Sequence, residues 1–118
     1  MAIATKRIYD PPSGRDGYRV LVDRLWPRGL SKEDAALDEW LKDIAPADQL
    51  RTWFHGDRAR WGAFRRRYLS ELKSHRETLR ELARRGKEGR VTLLFGSRDE
   101  ERNNAVVVAQ YLNMLGKN

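Results

Sequence analysis

The sequence predicts an α/β fold, in which a small, mostly parallel sheet is flanked by helices within a single domain spanning residues 1–118. Three observations support this prediction. Two apolar runs, at residues 18–23 and 91–95, have the composition of strands that are buried on both faces. Helical patterns alternate with these runs, and such alternation favours a parallel sheet. A length of 118 residues is enough for one modest hydrophobic core.

The other short elements are assigned from periodicity, caps and breakers. Residues 3–9 alternate weakly, which predicts a first strand. Ser31 and Asp34 have capping-box spacing, so a short helix is expected to begin there. The segment 37–44 fits either a continuation of that helix or a short strand. Residues 49–54 are predicted to form a short piece that is either helical or irregular.

A long apolar stripe predicts the main helical region. Steps of three and four residues separate its members, which are Trp61, Phe64, Tyr68, Leu72, His75, Leu79 and Leu82. Ser74 and Glu77 also have capping-box spacing, so one long helix and two consecutive helices both remain open. Gly86 and Gly89 are expected to end the region, and residues 104–115 are predicted to form a closing helix.

Composition narrows the classes of function. The chain has no cysteine, which excludes thiolate nucleophiles, disulfides and cysteine metal sites and fits a reducing cytoplasm. Its two histidines are separated and its acids lack ligand spacing, so we expect no metal site, and we expect no cofactor. No apolar run is long enough to span a membrane, so we expect a cytoplasmic protein with no membrane partner. The oligomeric state stays open.

Arginines follow both confident strands. The first apolar run leads into Arg24, Trp26 and Arg28, and the second leads into Arg98 and then Asn103. Because ligands bind outside the carboxyl ends of parallel strands, we expect these side chains to converge there. Arginine matches phosphate and carboxylate groups bidentately. The sequence therefore predicts an arginine-lined rim that binds a small phosphate- or carboxylate-bearing ligand, with Trp26 as a wall.

The same residues also have structural interpretations. Arg24 could pair with its neighbour Asp23, and Asn103 could cap the last helix. If the rim is catalytic, its arginines would stabilise developing negative charge, and His55 or Asp99 would move the proton. His55 has no evident partner in the sequence, and Asp99 fits a cap of a strand-to-helix turn equally well.

A basic segment offers the alternative function. Residues 57–86 hold ten basic and four acidic side chains and carry most of the net charge of +7. On one continuous helix, seven basic residues would share one flank: Arg58, Arg65, Arg66, Lys73, Arg76, Arg80 and Arg84. Such a flank suits a phosphate backbone and would make the chain a nucleic-acid-associated or regulatory module. A break near Ser74 would destroy the alignment, and charge runs are most often solvated faces.

Three stretches of the sequence are similar to a known family. The chain resembles the YeaO-like family, a bacterial domain of unknown function, at residues 19–29 (RVLVDRLWPRG), 50–55 (LRTWFH) and 91–105. The resemblance extends over nearly the whole chain. It implies a compact α/β domain with a strand within the segment 37–44, and it implies no established reaction.

The chain departs from that family at two positions. Histidine often stands in the family where this chain has Gly56 and Arg102. If those histidines perform chemistry, this chain lacks it or replaces it. The departure therefore weakens the catalytic interpretation of His55 and favours the arginine rim.

Overall fold

Four parallel strands form one sheet in the order β1, β4, β2, β3. The computed structural model describes residues 2–116. The strands are β1 (Ala2–Arg7), β2 (Tyr18–Leu21), β3 (Glu39–Trp40) and β4 (Arg90–Phe95). The predicted α/β class is confirmed, and the two strands with the most apolar sequences, β2 and β4, lie at the centre of the sheet.

Within residues 2–116, five α-helices connect and follow these strands. They are α1 (Lys32–Ala35), α2 (Asp48–Gly56), α3 (Trp61–Leu72), α4 (Arg76–Glu88) and α5 (Asn104–Gly116). Short 3-10 turns lie at Gly14–Asp16, Lys42–Ile44, Arg58–Arg60 and Lys73–His75. None of the helices within residues 2–116 combines the length and the apolar character that a membrane crossing requires.

Helices α4 and α5 pack on one face of the sheet, and α3 packs on α5 and α2 on α3 at the same side. Val20 of β2 and Leu93 and Phe95 of β4 point to this face and belong to the main core, which also contains buried side chains of all four helices. Side chains alternate across a strand, so Leu21 and Leu94 lie on the opposite face, in a second and smaller cluster. Each central strand is thus buried on both sides, as its apolar sequence predicts.

A buried ion-pair network supports the second face, where the small cluster is covered by loops and the four-residue α1. Arg19 of β2 donates to Asp16 and to the carbonyl oxygens of Ala35 and Ala36. Lys6 of β1 lies 3.1 Å from the same carboxylate. Arg19 and Asp16 are both buried. Charged groups therefore hold together the segments that replace a helical layer on this side.

The carboxylate of Asp16 is ionised more readily than usual. Burial raises its pKa, but hydrogen bonds from the Ser13 amide, Lys6 and Arg19 lower it by more, so the pKa lies below the ordinary aspartate value. The network is therefore stable as a charged assembly at neutral pH.

The expected short elements are found near their predicted positions. The Ser31 hydroxyl accepts from the Asp34 amide at 3.0 Å and caps α1. The segment 37–44 contains the short strand Glu39–Trp40 and then a 3-10 turn, so the strand implied by the family resemblance is confirmed. Its register is fixed by pairing of Glu39 with Val20 of β2.

The long apolar stripe belongs to two helices, one of the two alternatives that the sequence left open. The turn Lys73–His75 separates α3 from α4. The predicted second capping box is not formed, because the chain stays helical through Lys73 and the N-cap position of α4 falls on His75. Gly86 was expected to help end the region, but it is buried inside α4, and Gly89 alone follows its last residue.

Candidate functional site

A pocket opens at the carboxyl edge of the sheet. Its volume is about 340 Å³. The loop after β2, helix α2, the loop after β4 and the start of α5 all contribute to it. Its charged and polar lining comprises Asp23, Arg24, Arg51, His55, Arg58, Ser97, Arg102, Asn103 and Asn104. Its apolar lining comprises Leu25, Trp26, Pro27, Pro46, Phe54 and Phe64.

Asp23 connects the segments that form the pocket. One carboxylate oxygen accepts from the Gly96 amide at 2.7 Å, and the other accepts from Asn104 Nδ2 at 2.9 Å. The indole of Trp40 donates to the Asp23 carbonyl at 2.7 Å. Burial raises the pKa of the Asp23 carboxyl, and the bonds from Asn104 and Gly96 oppose that rise. Asp23 therefore bonds to the loop after β4 and to α5, and its partner is not Arg24.

Arg24 and Arg51 share one poorly placed carboxylate. Arg24 Nε lies 3.7 Å and Arg51 Nη2 lies 3.5 Å from Oδ1 of Asp48, whose side chain is 70 % exposed. Arg24 Nη2 also donates to the Ala45 carbonyl at 3.3 Å. Among the described residues, the Nε atoms of Arg24 and Arg51 are the two buried side-chain polar atoms that lack a hydrogen-bond partner. Both belong to residues that line this pocket.

Arg58 makes shorter polar contacts with its neighbours than Arg24 and Arg51 make with Asp48. Its guanidinium lies over the Phe54 ring at 4.6 Å and donates to Asp99 at 3.1 Å and to the Arg102 carbonyl at 2.7 Å. Asp99 also accepts from the amides of Glu101 and Arg102, both at 3.0 Å. Those backbone bonds and the neighbouring Arg58 hold the pKa of Asp99 below its ordinary value, against the opposing effect of burial. Asp99 acts in this structure as the organiser of a turn.

His55 lies on the last turn of α2 and lines the pocket. Burial lowers its pKa below the ordinary histidine value. The positive charges of Arg51 and Arg58 lower it further, and the carboxylate of Asp23 opposes them. The imidazole is therefore mainly neutral at pH 7.

The predicted rim is only partly assembled at the pocket. Arg24, Trp26 and Asn103 line it, whereas Arg28 and Arg98 are exposed and lie outside the lining. Asn103 is buried and caps α5, since its Oδ1 accepts from the Val106 amide at 3.0 Å. The Trp26 indole is fixed by a 2.6 Å bond to the Leu30 carbonyl.

The sequence does not predict three arginines of the pocket, Arg51, Arg58 and Arg102, as members of the rim, although Arg58 belongs to the predicted basic flank. Arg51 had a usable signal, because it precedes His55 by four residues and the two side chains must share a face of any helix there. Arg58 had no comparable signal, because its partner Asp99 is 41 residues away. Arg102 was noted only as a departure from the family pattern.

The basic flank predicted on residues 57–86 is interrupted by the turn Lys73–His75. Several of its arginines have partners within the fold. Arg58 belongs to the pocket, Arg65 donates to Gln110 at 2.6 Å, and Arg84 pairs with Glu81 and Glu88. The alignment that favoured a nucleic-acid backbone therefore depends on a continuous helix that does not form.

The chain can now be compared with known proteins. The model of a family described as the inactive DUF488-N3 subclade matches residues 2–117. The chain belongs to this family. It is 47 % identical over 98 % of its length to the whole of YeaO, an uncharacterised protein of Escherichia coli. An uncharacterised protein of Mycobacterium tuberculosis is 39 % identical over 94 % of this chain and 93 % of its own. These matches confirm the YeaO-like resemblance, and no solved structure matches the chain.

No ligand set for a metal appears in this member of the inactive DUF488-N3 subclade, as far as residues 2–116 are concerned. Within that range, no three side chains of histidine, cysteine, aspartate or glutamate gather closely enough to hold an ion. The lining of the pocket instead contains four arginines, Arg24, Arg51, Arg58 and Arg102, and one acidic residue, Asp23.

Proposed function

We propose that this protein binds a small phosphate- or carboxylate-bearing ligand in the pocket at the carboxyl edge of the sheet. The anionic group would lie between Arg24 and Arg51, with Trp26 as a wall and Asn103 as the cap that positions the start of α5. One observation carries the proposal. Both buried side-chain donors that lack a partner within residues 2–116 belong to these two arginines.

The charge balance of the pocket supports an anion. Within residues 2–116, Asp48 is the one carboxylate that pairs with both arginines. It is largely exposed and lies 3.7 Å from Arg24 and 3.5 Å from Arg51. Such long and solvated pairs contribute little binding energy. An anion with several acceptor oxygens could satisfy both Nε groups at once, and charge-assisted bonds of this kind contribute about 1.5–3 kcal/mol each.

The same features favour binding over turnover. Asp99, one of the two predicted proton-transfer residues, lies outside the pocket lining, and its bonds to Arg58 and to two backbone amides keep it ionised. The description of the family as an inactive subclade agrees with a pocket that holds a ligand without transforming it. His55 would then adjust the affinity for the anion through its charge.

Titration with inorganic phosphate, followed by backbone NMR at constant ionic strength, tests the proposal. We expect saturable shifts at the amides around Arg24, Arg51 and Gly96. Arg51→Ala should weaken binding at least tenfold, because it removes one charge-assisted partner of the anion. Thermal unfolding of the variant verifies that it is folded.

Arg98→Ala is the matched control. It removes the same charge from an exposed position outside the pocket lining. We expect Arg98→Ala to leave phosphate binding unchanged. Arg28 is also exposed and outside the pocket lining, so the proposed site does not include it. Equal losses in Arg51→Ala and Arg98→Ala would show that phosphate responds only to the net charge of the surface, and the pocket assignment would fail.

The nucleic-acid alternative stays a prediction with a different salt dependence. Binding to a duplex through many phosphates weakens steeply as salt is added, whereas a small enclosed site responds less. Duplex binding that disappears between low and moderate salt and survives Arg51→Ala would favour the basic segment.

A further inference from the structure

We infer that the ligand of this pocket is an aromatic anion, in which a single planar ring carries one phosphate or carboxylate group. The inference rests on the proposed function and adds the chemical class of the ligand. It starts from the apolar part of the lining, which a bare inorganic anion would leave uncovered.

The size of the pocket exceeds the needs of a bare anion. Its volume of about 340 Å³ is roughly ten times the ~30 Å³ that one water molecule occupies in the liquid. Phosphate, with five heavy atoms, would fill only part of that space. Small-molecule pockets begin at about 300 Å³ and are predominantly apolar, with a few polar groups that fix orientation. A ring with one anionic substituent agrees with both properties.

The free apolar wall consists of rigid and flat side chains. Trp26 is held by its bond to the Leu30 carbonyl and by an edge contact with Trp40 at 5.4 Å between ring centroids. Pro27 and Pro46 are buried and line the same pocket. Rigid surfaces bind a rigid ring with little loss of conformational entropy. A planar ligand ring therefore suits this wall better than a flexible chain.

The aromatic side chains Phe54 and Phe64 of the lining are less available to a ligand. Phe54 stacks against Phe64 with 4.4 Å between ring centroids, and it also carries the guanidinium of Arg58. The aromatic surface of Phe54 is thus largely used within the protein. The ring of the ligand would lie on the side of Trp26, and its anionic group would reach Arg24, two residues away in sequence, and Arg51.

Leu25 adds an exposed apolar side chain to the lining of the same pocket. Its exposed fraction is 63 %, the largest among the exposed large apolar residues, and it lies between Arg24 and Trp26 in the lining. A bound ring would cover part of this side chain. If a ligand ring buries part of Leu25, the exposed leucine next to Arg24 has a role in binding.

Calorimetric titration with phenyl phosphate, benzoate, inorganic phosphate and phenol tests the inference. We expect phenyl phosphate or benzoate to bind at least tenfold more tightly than inorganic phosphate, and phenol to bind more weakly than either. The stronger of the two aromatic anions identifies the head group. If neither phenyl phosphate nor benzoate binds more tightly than inorganic phosphate, the aromatic inference is overturned and the proposed function stays intact. Absence of binding by all three anions would overturn both.

Two variants locate the ring. Leu25→Ala should weaken phenyl phosphate about three- to tenfold, as expected for the loss of a partly covered side chain, and should leave inorganic phosphate unchanged. Met114→Ala is the control, because Met114 is also an exposed apolar side chain but lies outside the pocket lining. Weaker phenyl phosphate binding in both variants, or in neither, would contradict the assignment of the ring to this wall.

Discussion

Asn104 donates to Asp23 at 2.9 Å across 81 residues of sequence. The same amide nitrogen donates to the Val22 carbonyl at 2.8 Å, and the other oxygen of Asp23 accepts from the Gly96 amide. One carboxylate thus joins the ends of both central strands to the first residue of α5. The pair therefore fixes the relative positions of three segments that line the pocket.

Asn104→Asp should destabilise the fold by about 2–4 kcal/mol at pH 7, because a second carboxylate would face Asp23 and the bond to Val22 would be lost. Folding would raise the pKa of one member of the carboxylate pair. An acid with a raised pKa stabilises the folded state at low pH and loses that contribution as the pH rises. The deficit, measured by urea unfolding, should therefore shrink between pH 7 and pH 4.

Asn113→Asp is the matched control for this change. Asn113 lies on the same helix, is exposed and donates to the Ala109 carbonyl at 3.0 Å. We expect it to cost less than about 1 kcal/mol. A deficit in Asn104→Asp that equals the control, or that grows as the pH falls, would contradict the role assigned to Asp23.

Asp16→Asn should cost about 3–5 kcal/mol at neutral pH, since it leaves the buried Arg19 without its charged partner. Folding lowers the pKa of Asp16, so its contribution is present above the unfolded value and is lost as the pH falls through the folded value. The wild-type and variant stabilities should converge in acid. Asp34→Asn, at an exposed position of α1, should change stability little at any pH.

The fold was predictable where the information is local. Strands β2 and β4 follow from apolar runs, and α1 follows from the Ser31 cap. Local signals do not predict the turn at Lys73–His75, because the apolar stripe continues through it. Ser74 has the spacing of an N-cap residue, but the N-cap position of α4 falls on His75. The choice between one helix and two depends on tertiary packing, of α3 on α5 and of α4 on α5 and β4.

The site was predictable only in part, because its partners are distant in sequence. The position of Arg24 at a strand end follows from the pattern of β2. The choice of Gly96 and Asn104 over Arg24 as partners of Asp23 depends on contacts across more than 70 residues. Arg28 and Arg98 follow the same strands but point to solvent, since nothing in a strand-end pattern specifies which loop side chains turn inward.

Gly17→Ala should destabilise the fold by about 2 kcal/mol or more. Gly17 has a φ of +66°, and a Cβ atom there would lie 2.3 Å from the Arg90 carbonyl oxygen, which must then shift at the start of β4. Gly14→Ala is the control, because a Cβ atom there meets nothing within 4 Å. Thermal unfolding gives the melting temperature of each variant. Equal melting temperatures would contradict the close approach of Gly17 to the Arg90 carbonyl.

His55 should make anion binding dependent on pH. Its pKa is lowered by burial and by Arg51 and Arg58, so the imidazole becomes cationic only as the pH falls below the ordinary histidine range. A bound anion favours the cation, so affinity should rise about three- to tenfold as the pH falls from about 7.5 to about 5.5. Benzenesulfonate is a suitable probe, because its charge stays constant over this range.

His55→Asn should remove most of this pH dependence, because asparagine keeps a polar side chain at the position but does not titrate. Asp23 also gains protons more readily than an ordinary aspartate, so a residual rise in affinity toward low pH is expected in the variant. His75→Asn changes the other histidine, at the N-cap position of α4 and outside the pocket lining, and should retain the full wild-type profile. Identical profiles in His55→Asn and the wild-type protein would place the anion beyond the reach of His55.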